Sequence, residues 1–241
     1  MSIHLIGGGA TTSADAPLHA PFVDEVSRRA AASGRDRPRV AVISLHPEAA
    51  DKAAALGELL TEAGRGTAID LQLTAGRAGH PIERDAIDDV DGIAVGGGNV
   101  ETVRAGLESV FDEIRRQVAD GVPYLGVSAG AMIAGERSLG SGTRIGGVVV
   151  SPEAADEPGD ELELEAGIGL VDVTIEVHVA QRGVLSRVAA AAEAGLITGA
   201  LGIDERTALI VSEGGLRVEG SGNVWRVLPT DGGVLVSTIA G

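Results

Sequence analysis

The sequence predicts an α/β fold: a mostly parallel sheet with helices on both faces, and extra β strands at the C-terminus. Three observations predict it. Short apolar runs that read as buried strands alternate with segments of helical periodicity from residue 3 to residue 127. Several runs end in glycine, at Gly7-Gly8-Gly9, Gly96-Gly97-Gly98 and Gly126-Val127-Ser128-Ala129-Gly130, where a parallel sheet presents its C-terminal edge. The tail over 216–239 is a series of short Val-rich stretches punctuated by glycine, which reads as a β-meander.

Composition narrows the class. A chain of 241 residues can bury a sizeable core, and without a linker or internal repeat a single domain over 1–241 is expected. Apolar residues make up 44% but aromatics only 2%, so the core must be built from Val, Ile, Leu and Ala. No apolar run approaches the roughly 18 residues of a membrane span, and the opening residues read as a strand rather than a signal peptide. There is no cysteine, hence no disulfide, thiol nucleophile or thiolate metal site, and a cytoplasmic location is expected. The net charge of −16 argues against sequence-independent nucleic-acid binding and is read as a solubility feature; Lys52 is the only lysine.

Taken in order, residues 3–6 form the first strand, ending in a glycine turn. Thr12 stands where a dinucleotide fingerprint would need glycine, so that reading fails. Phe22, Val23, Val26 and Ala30 mark a helix over 21–33. Strands are expected over 40–45 and 68–73, with a helix over 47–63 that starts at Pro47. His46-Pro47-Glu48 precedes Ser128 and reads as strand end plus helix start. A fourth strand runs into Gly96-Gly97-Gly98-Asn99, followed by a helix over 99–118 capped by Asn99 and stopped by Gly121. The triple glycine lacks the Gly-Lys-Ser/Thr of a P-loop, but its backbone N–H groups at Gly98 and Asn99 can face the tip of the next strand.

That next strand, 123–127, leads into Gly126-Val127-Ser128-Ala129-Gly130, the G-x-S-x-G pattern of a nucleophile elbow. A sharp strand-to-helix turn strains the nucleophile's backbone and tolerates only small neighbours. It would present Ser128 Oγ near a helix N-terminus whose free N–H groups can hold an oxyanion. Beyond the elbow, a strand is expected over 144–150, a solvated acidic loop over 156–165, a strand over 171–179 and a helix over 181–194. Strands over 201–204 and 208–212 follow. Of the five histidines, His178 lies at a strand end just before a helix, where side chains reach the candidate catalytic edge.

The segment His178-Val-Ala-Gln-Arg-Gly-Val-Leu-Ser-Arg187, then Gly202-Ile-Asp-Glu-Arg-Thr-Ala-Leu209, resembles the serine peptidase family of cyanophycinase and aspartyl dipeptidase. The elbow and the glycine loop one strand earlier occur in that family's order, from Gly96 to Leu209. The resemblance implies a glutamine-amidotransferase-like fold with a flavodoxin-like core. It also implies a triad of Ser128, His178 and Glu205, with the N–H groups of Ala129 and Gly98, and of Asn99, as oxyanion donors. Asp204 and Glu176 compete with Glu205 for the third place. Gln181 and Arg182 are implied as contacts to an acidic substrate group. Val179 replaces the family's usual Phe, and Val184 stands where a second arginine is common, which puts cyanophycin itself in doubt. The expectation is a peptidase for small, aspartyl or β-aspartyl peptides that needs no cofactor or metal. It would have no nucleic-acid or membrane partner, and a homodimer remains open. A serine esterase or amidase, and a non-catalytic binding protein on the same fold, are the rival readings.

Overall fold

The computed structural model describes residues 2–152 and 160–239. In chain order the strands are β1 (Ser2–Ile6), β2 (Arg39–Leu45), β3 (Asp70–Gly76), β4 (Gly92–Val95), β5 (Tyr124–Val127), β6 (Arg137–Leu139), β7 (Arg144–Ile145) and β8 (Val148–Val149). They continue with β9 (Leu164–Ala166), β10 (Thr174–Val177), β11 (Ala200–Ile203), β12 (Thr207–Ser212), β13 (Gly215–Gly220), β14 (Val224–Thr230) and β15 (Gly233–Ile239). The α-helices are α1 (Ala20–Ala32), α2 (Ala49–Ala63), α3 (Val100–Leu107), α4 (Phe111–Ala119), α5 (Ala129–Met132), α6 (Val179–Arg182) and α7 (Leu185–Glu193).

The central sheet has seven strands in the order β13-β12-β1-β5-β4-β2-β3. The five from β1 to β3 are mutually parallel, and β12 and β13 add an antiparallel edge. β1, β4 and nearly all of β2 are buried along their length, because helices cover both faces and leave no side for polar residues. β3 is the opposite edge and is only half covered, which explains its weak hydrophobic signal. Two apolar clusters sit on the two faces. One joins Phe22, Val23 and Val26 of α1 to Leu56 and Leu60 of α2; the other joins Val103, Leu107 and Ile114 to Tyr124 and Ile133. Fully burying such a side chain contributes about 1.5–3 kcal/mol, so a core mostly of Val, Ile and Leu suffices, with Phe22 and Tyr124 as its largest fully buried side chains.

The tail does not form one meander. β13 completes the central sheet, while β14 and β15 join β10 and β11 in a second sheet of order β10-β11-β14-β15. β10 therefore belongs to this second sheet and not to the parallel one. Several expected elements are also broken in two. The 99–118 helix divides at a 3-10 turn, Glu108–Val110, and the 181–194 helix divides at Gly183. The 144–150 strand is a hairpin, β7–β8, turned by Gly146 and Gly147 with φ of 59° and 78°. α2 starts at Ala49, two residues after Pro47, and the short pair β6–β9 was not expected. Part of the acidic stretch over 156–165 lies outside the described residues. Of the remainder, Glu161 accepts from the Gly147 N–H and Glu165 pairs with Arg104.

Candidate active site

β5 delivers Ser128 into a sharp turn. Its backbone lies at φ 54°, ψ −116°, a region that costs a non-glycine residue about 1–3 kcal/mol. Backbone hydrogen bonds, one of them to β1, hold the turn in that state. Ser128 N–H donates to Ile6 O at 2.9 Å, and Ser128 O accepts from Ala131 N–H at 2.8 Å and Met132 N–H at 3.0 Å. The buried Tyr124 hydroxyl donates to Gly130 O at 2.7 Å, and burial pushes its pKa up. A Cβ on Gly130 would lie 2.9 Å from Val95 C, so the turn can pack on β4 only because residue 130 lacks a side chain.

His178 follows β10 and also adopts a left-handed backbone, φ 53° and ψ 32°. Its N–H donates to Gly7 O at 3.1 Å, which couples the second sheet to the end of β1. The imidazole lies between Ser128 and Glu205: Ser128 Oγ is 2.8 Å from Nε2, and Nδ1 is 2.7 Å from Glu205 Oε1. Burial pushes the His178 pKa below the ordinary histidine value; the Glu205 carboxylate works against that shift, and Arg182 adds to it.

Glu205 sits in the turn between β11 and β12. Its N–H donates to Gln181 Oε1 at 2.9 Å, and the next residue, Arg206, donates its N–H to Gly8 O at 2.8 Å. The two competing carboxylates have other partners. Asp204 Oδ1 accepts from the Ala180 N–H and the Trp225 indole, and Oδ2 accepts from the Asn223 N–H, so Asp204 fastens α6 and β14. Glu176 is buried against Arg187, whose Nε and Nη2 both lie 2.8 Å from its Oε2.

Among the described residues, the other histidines make no hydrogen bond to a nucleophile. His4 is buried beside Glu25 and edge-on to Phe22, while His19 packs against Asp15 O. His80 contacts Arg77, and His46 Nδ1 accepts from Glu48 N–H. His46 nevertheless lines the same cleft as Ser128.

That cleft encloses about 640 Å³. Gly97, Gly98, Asn99, Ala129, Val184 and Arg182 are among the residues that line it, and Gln181 is not. Gly97 is the glycine tightest against the serine, since a Cβ there would lie 3.1 Å from Ser128 Cβ. Among the described residues, no acceptor takes the N–H of Gly97, Gly98 or Ala129. The Asn99 side chain is committed to capping α3, accepting from Thr102 N–H at 2.9 Å. Two positions that sequence reasoning did not single out are Gly8 and Gly9. Side chains there would run into the His178 ring and the Glu205 carboxylate. The signal was the glycine triplet itself, which reads only as a turn until its neighbours are known. Among the described residues, no three His, Asp or Glu side chains cluster so as to hold a metal ion, and no helix is long and apolar enough to cross a membrane.

Fold and site together define a class: α/β proteins that set a serine, a histidine and a carboxylate in line at the C-terminal edge of a parallel sheet. The model of peptidase family S51 matches residues 69–219, and the chain belongs to that family. It is 32% identical over 201 residues to the cyanophycinase of Synechococcus elongatus, an alignment covering 79% of this chain and 60% of that protein. The chain thus spans about 60% of the length of the cyanophycinases it matches. A peptidase E from Shewanella sp. (strain W3-18-1) is 46% identical over 58 residues, 23% of this chain and 25% of that one. The fold is shared with the crystal structure of a peptidase from an acI-B1 Actinobacterium. The TM-score is 0.63 at 15% identity, covering 100% of this chain and 96% of that chain.

Proposed function

We propose that this protein is a serine peptidase that hydrolyses small peptides through an acyl-enzyme. The observation that carries the reading is the unbroken line from Ser128 Oγ to His178 Nε2, 2.8 Å, and from His178 Nδ1 to Glu205 Oε1, 2.7 Å. Ser128 Oγ attacks the scissile carbonyl carbon while Nε2 takes its proton. The imidazolium returns that proton to the leaving amine as the C–N bond breaks. Water then attacks the ester by the same route in reverse, releasing the acid and restoring Ser128. Glu205 keeps Nδ1 protonated and stabilises the imidazolium. The N–H groups of Ala129 and Gly98, with Asn99 beside them, receive the carbonyl oxygen as it becomes negative. Losing one such donor would cost about 3–4 kcal/mol of transition-state stabilisation.

The preferred substrates in this reading are aspartyl or β-aspartyl peptides, with Arg182 at the cleft wall meeting the acidic group. Gln181 supports Glu205 from behind through its Oε1. Val184, buried and apolar in the cleft, offers no second cation. The test is purified protein against aspartyl and isoaspartyl dipeptides, cyanophycin and small esters. Cleavage of an aspartyl peptide should fall by at least about 10⁴-fold in Ser128→Ala. Activity that survives the substitution overturns the mechanism, and turnover of esters alone overturns the substrate.

A further inference from the structure

Two loops that line the cleft are joined by one carboxylate. Glu101, in the first turn of α3, accepts from Asn99 Nδ2 through Oε2 at 2.7 Å. Its other oxygen accepts from Ser141 N–H at 2.7 Å and Ser141 Oγ at 2.8 Å. Close approach of the two loops needs a small residue next to Ser141, for a Cβ on Gly140 would lie 3.0 Å from Glu101 Oε1. The same loop is held on its far flank by Arg187, whose Nη1 donates to Gly140 O at 3.2 Å and Gly142 O at 3.3 Å. Arg187 in turn pairs with Glu176, two residues before His178. Residues 140–142 are therefore tied to the glycine loop by Glu101 and to the histidine's strand by the Arg187–Glu176 pair.

Burial disfavours the charged Glu101 carboxylate, but the donors from Ser141 and Asn99 prevail and hold its pKa below the ordinary value. Bonds to an ionised acceptor are roughly twice as strong as neutral ones, which strengthens this knot at the end of the glycine loop. Gly96, Gly97 and Gly98 have no side chains with which to pack the loop in place.

We propose that Glu101 is a positioning residue for hydrolysis. By tying Asn99 to Ser141, it holds the N–H groups of residues 97–99 at the spacing from Ser128 that a developing oxyanion requires. The proposal rests on the peptidase reading above. Oxyanion donors act only within a narrow distance of the oxygen, so freedom in this loop is felt in the transition state more than in substrate binding.

Glu101→Gln breaks the knot whichever way its amide is turned, because the amide nitrogen cannot accept from Asn99 or Ser141. The expected result is a kcat about 10- to 100-fold lower, with KM changed by less than about threefold. The rate of fluorophosphonate labelling of Ser128 should fall in parallel, since that reagent's oxygen uses the same donors. Ser141→Ala loses the hydroxyl donor to Glu101 but keeps the N–H bond, so its kcat should fall less than that of Glu101→Gln. Unchanged kcat and labelling in Glu101→Gln overturn the proposal. So does a Ser141→Ala variant with a lower kcat than Glu101→Gln, because the hydroxyl would then act otherwise than through Glu101. If the wild type neither cleaves nor labels, the peptidase reading is what has failed. Hydrogen exchange then decides the positioning: Glu101→Gln should speed exchange at 97–99 and 140–142 together, and unchanged exchange at 97–99 overturns it.

Discussion

Gly8 and His178 occupy adjoining space so closely that a Cβ on Gly8 would lie 2.7 Å from His178 Nε2. Gly8 also has φ +98°, and its carbonyl accepts from Arg206 N–H in the turn that carries Glu205. The first glycine triplet is thus the seat of the histidine and its carboxylate, although it is 170 residues away from His178 in sequence.

Gly8→Ala should displace the imidazole from Ser128. A reacting group moved by an ångström loses on the order of 100-fold in rate, so kcat/KM and fluorophosphonate labelling should fall at least that far. Steady-state kinetics beside circular dichroism checks this. An active Gly8→Ala variant would show that the ring has room the structure does not give it.

In the proposed mechanism His178 must be neutral to accept the Ser128 proton, and burial, then Arg182, depress its pKa below the ordinary histidine value of 6.5. The acid limb of kcat/KM should therefore lie below pH 6.5, with activity lost as pH falls through the His178 pKa. Removing the positive charge in Arg182→Ala raises that pKa, so the limb should move to higher pH. Glu205→Gln removes an opposing influence and should move it lower. A pH–rate profile for each variant measures the shifts, and a limb that stays put in Arg182→Ala would exclude its charge from the histidine's surroundings.

The two neighbouring carboxylates should separate cleanly. Glu205→Gln is expected to lower kcat by about 10³- to 10⁴-fold with little change in stability, because its partner is the imidazole. Asp204→Ala strands the Ala180, Asn223 and Trp225 donors, and each buried unsatisfied group costs about 1–3 kcal/mol, so the loss should appear in thermal unfolding. Paired melts and kinetics distinguish them.

Tyr124→Phe removes the hydroxyl that satisfies Gly130 O inside the core. The stranded carbonyl should cost about 1–3 kcal/mol in denaturant unfolding. The Ser128 turn would lose one of its restraints, so a measurable fall in kcat should accompany the lower stability. Full activity with lower stability would mean that the remaining backbone bonds hold the turn alone.

What the sequence by itself determined is what short-range rules control. Short, mostly apolar runs marked β1, β2, β4 and β5, since strands covered on both faces have no solvent-facing side. The small residues around Ser128 marked the strained turn, because only they fit beside it. Asn99 announced the start of α3 through its capping chemistry. Long-range pairing decided the rest. His178 reaches Ser128 from a second sheet, docked through Gly7, and no local pattern records which sheet a short strand will join. Glu176, Asp204 and Glu205 have the same charge in sequence; what separates them is Arg187, Trp225 and the imidazole, partners that fold into place. The left-handed backbones at Ser128, His178 and Arg206 likewise persist because surrounding hydrogen bonds offset their strain, and at each position one of those bonds reaches far along the chain, to Ile6, Gly7 and Gly8 respectively.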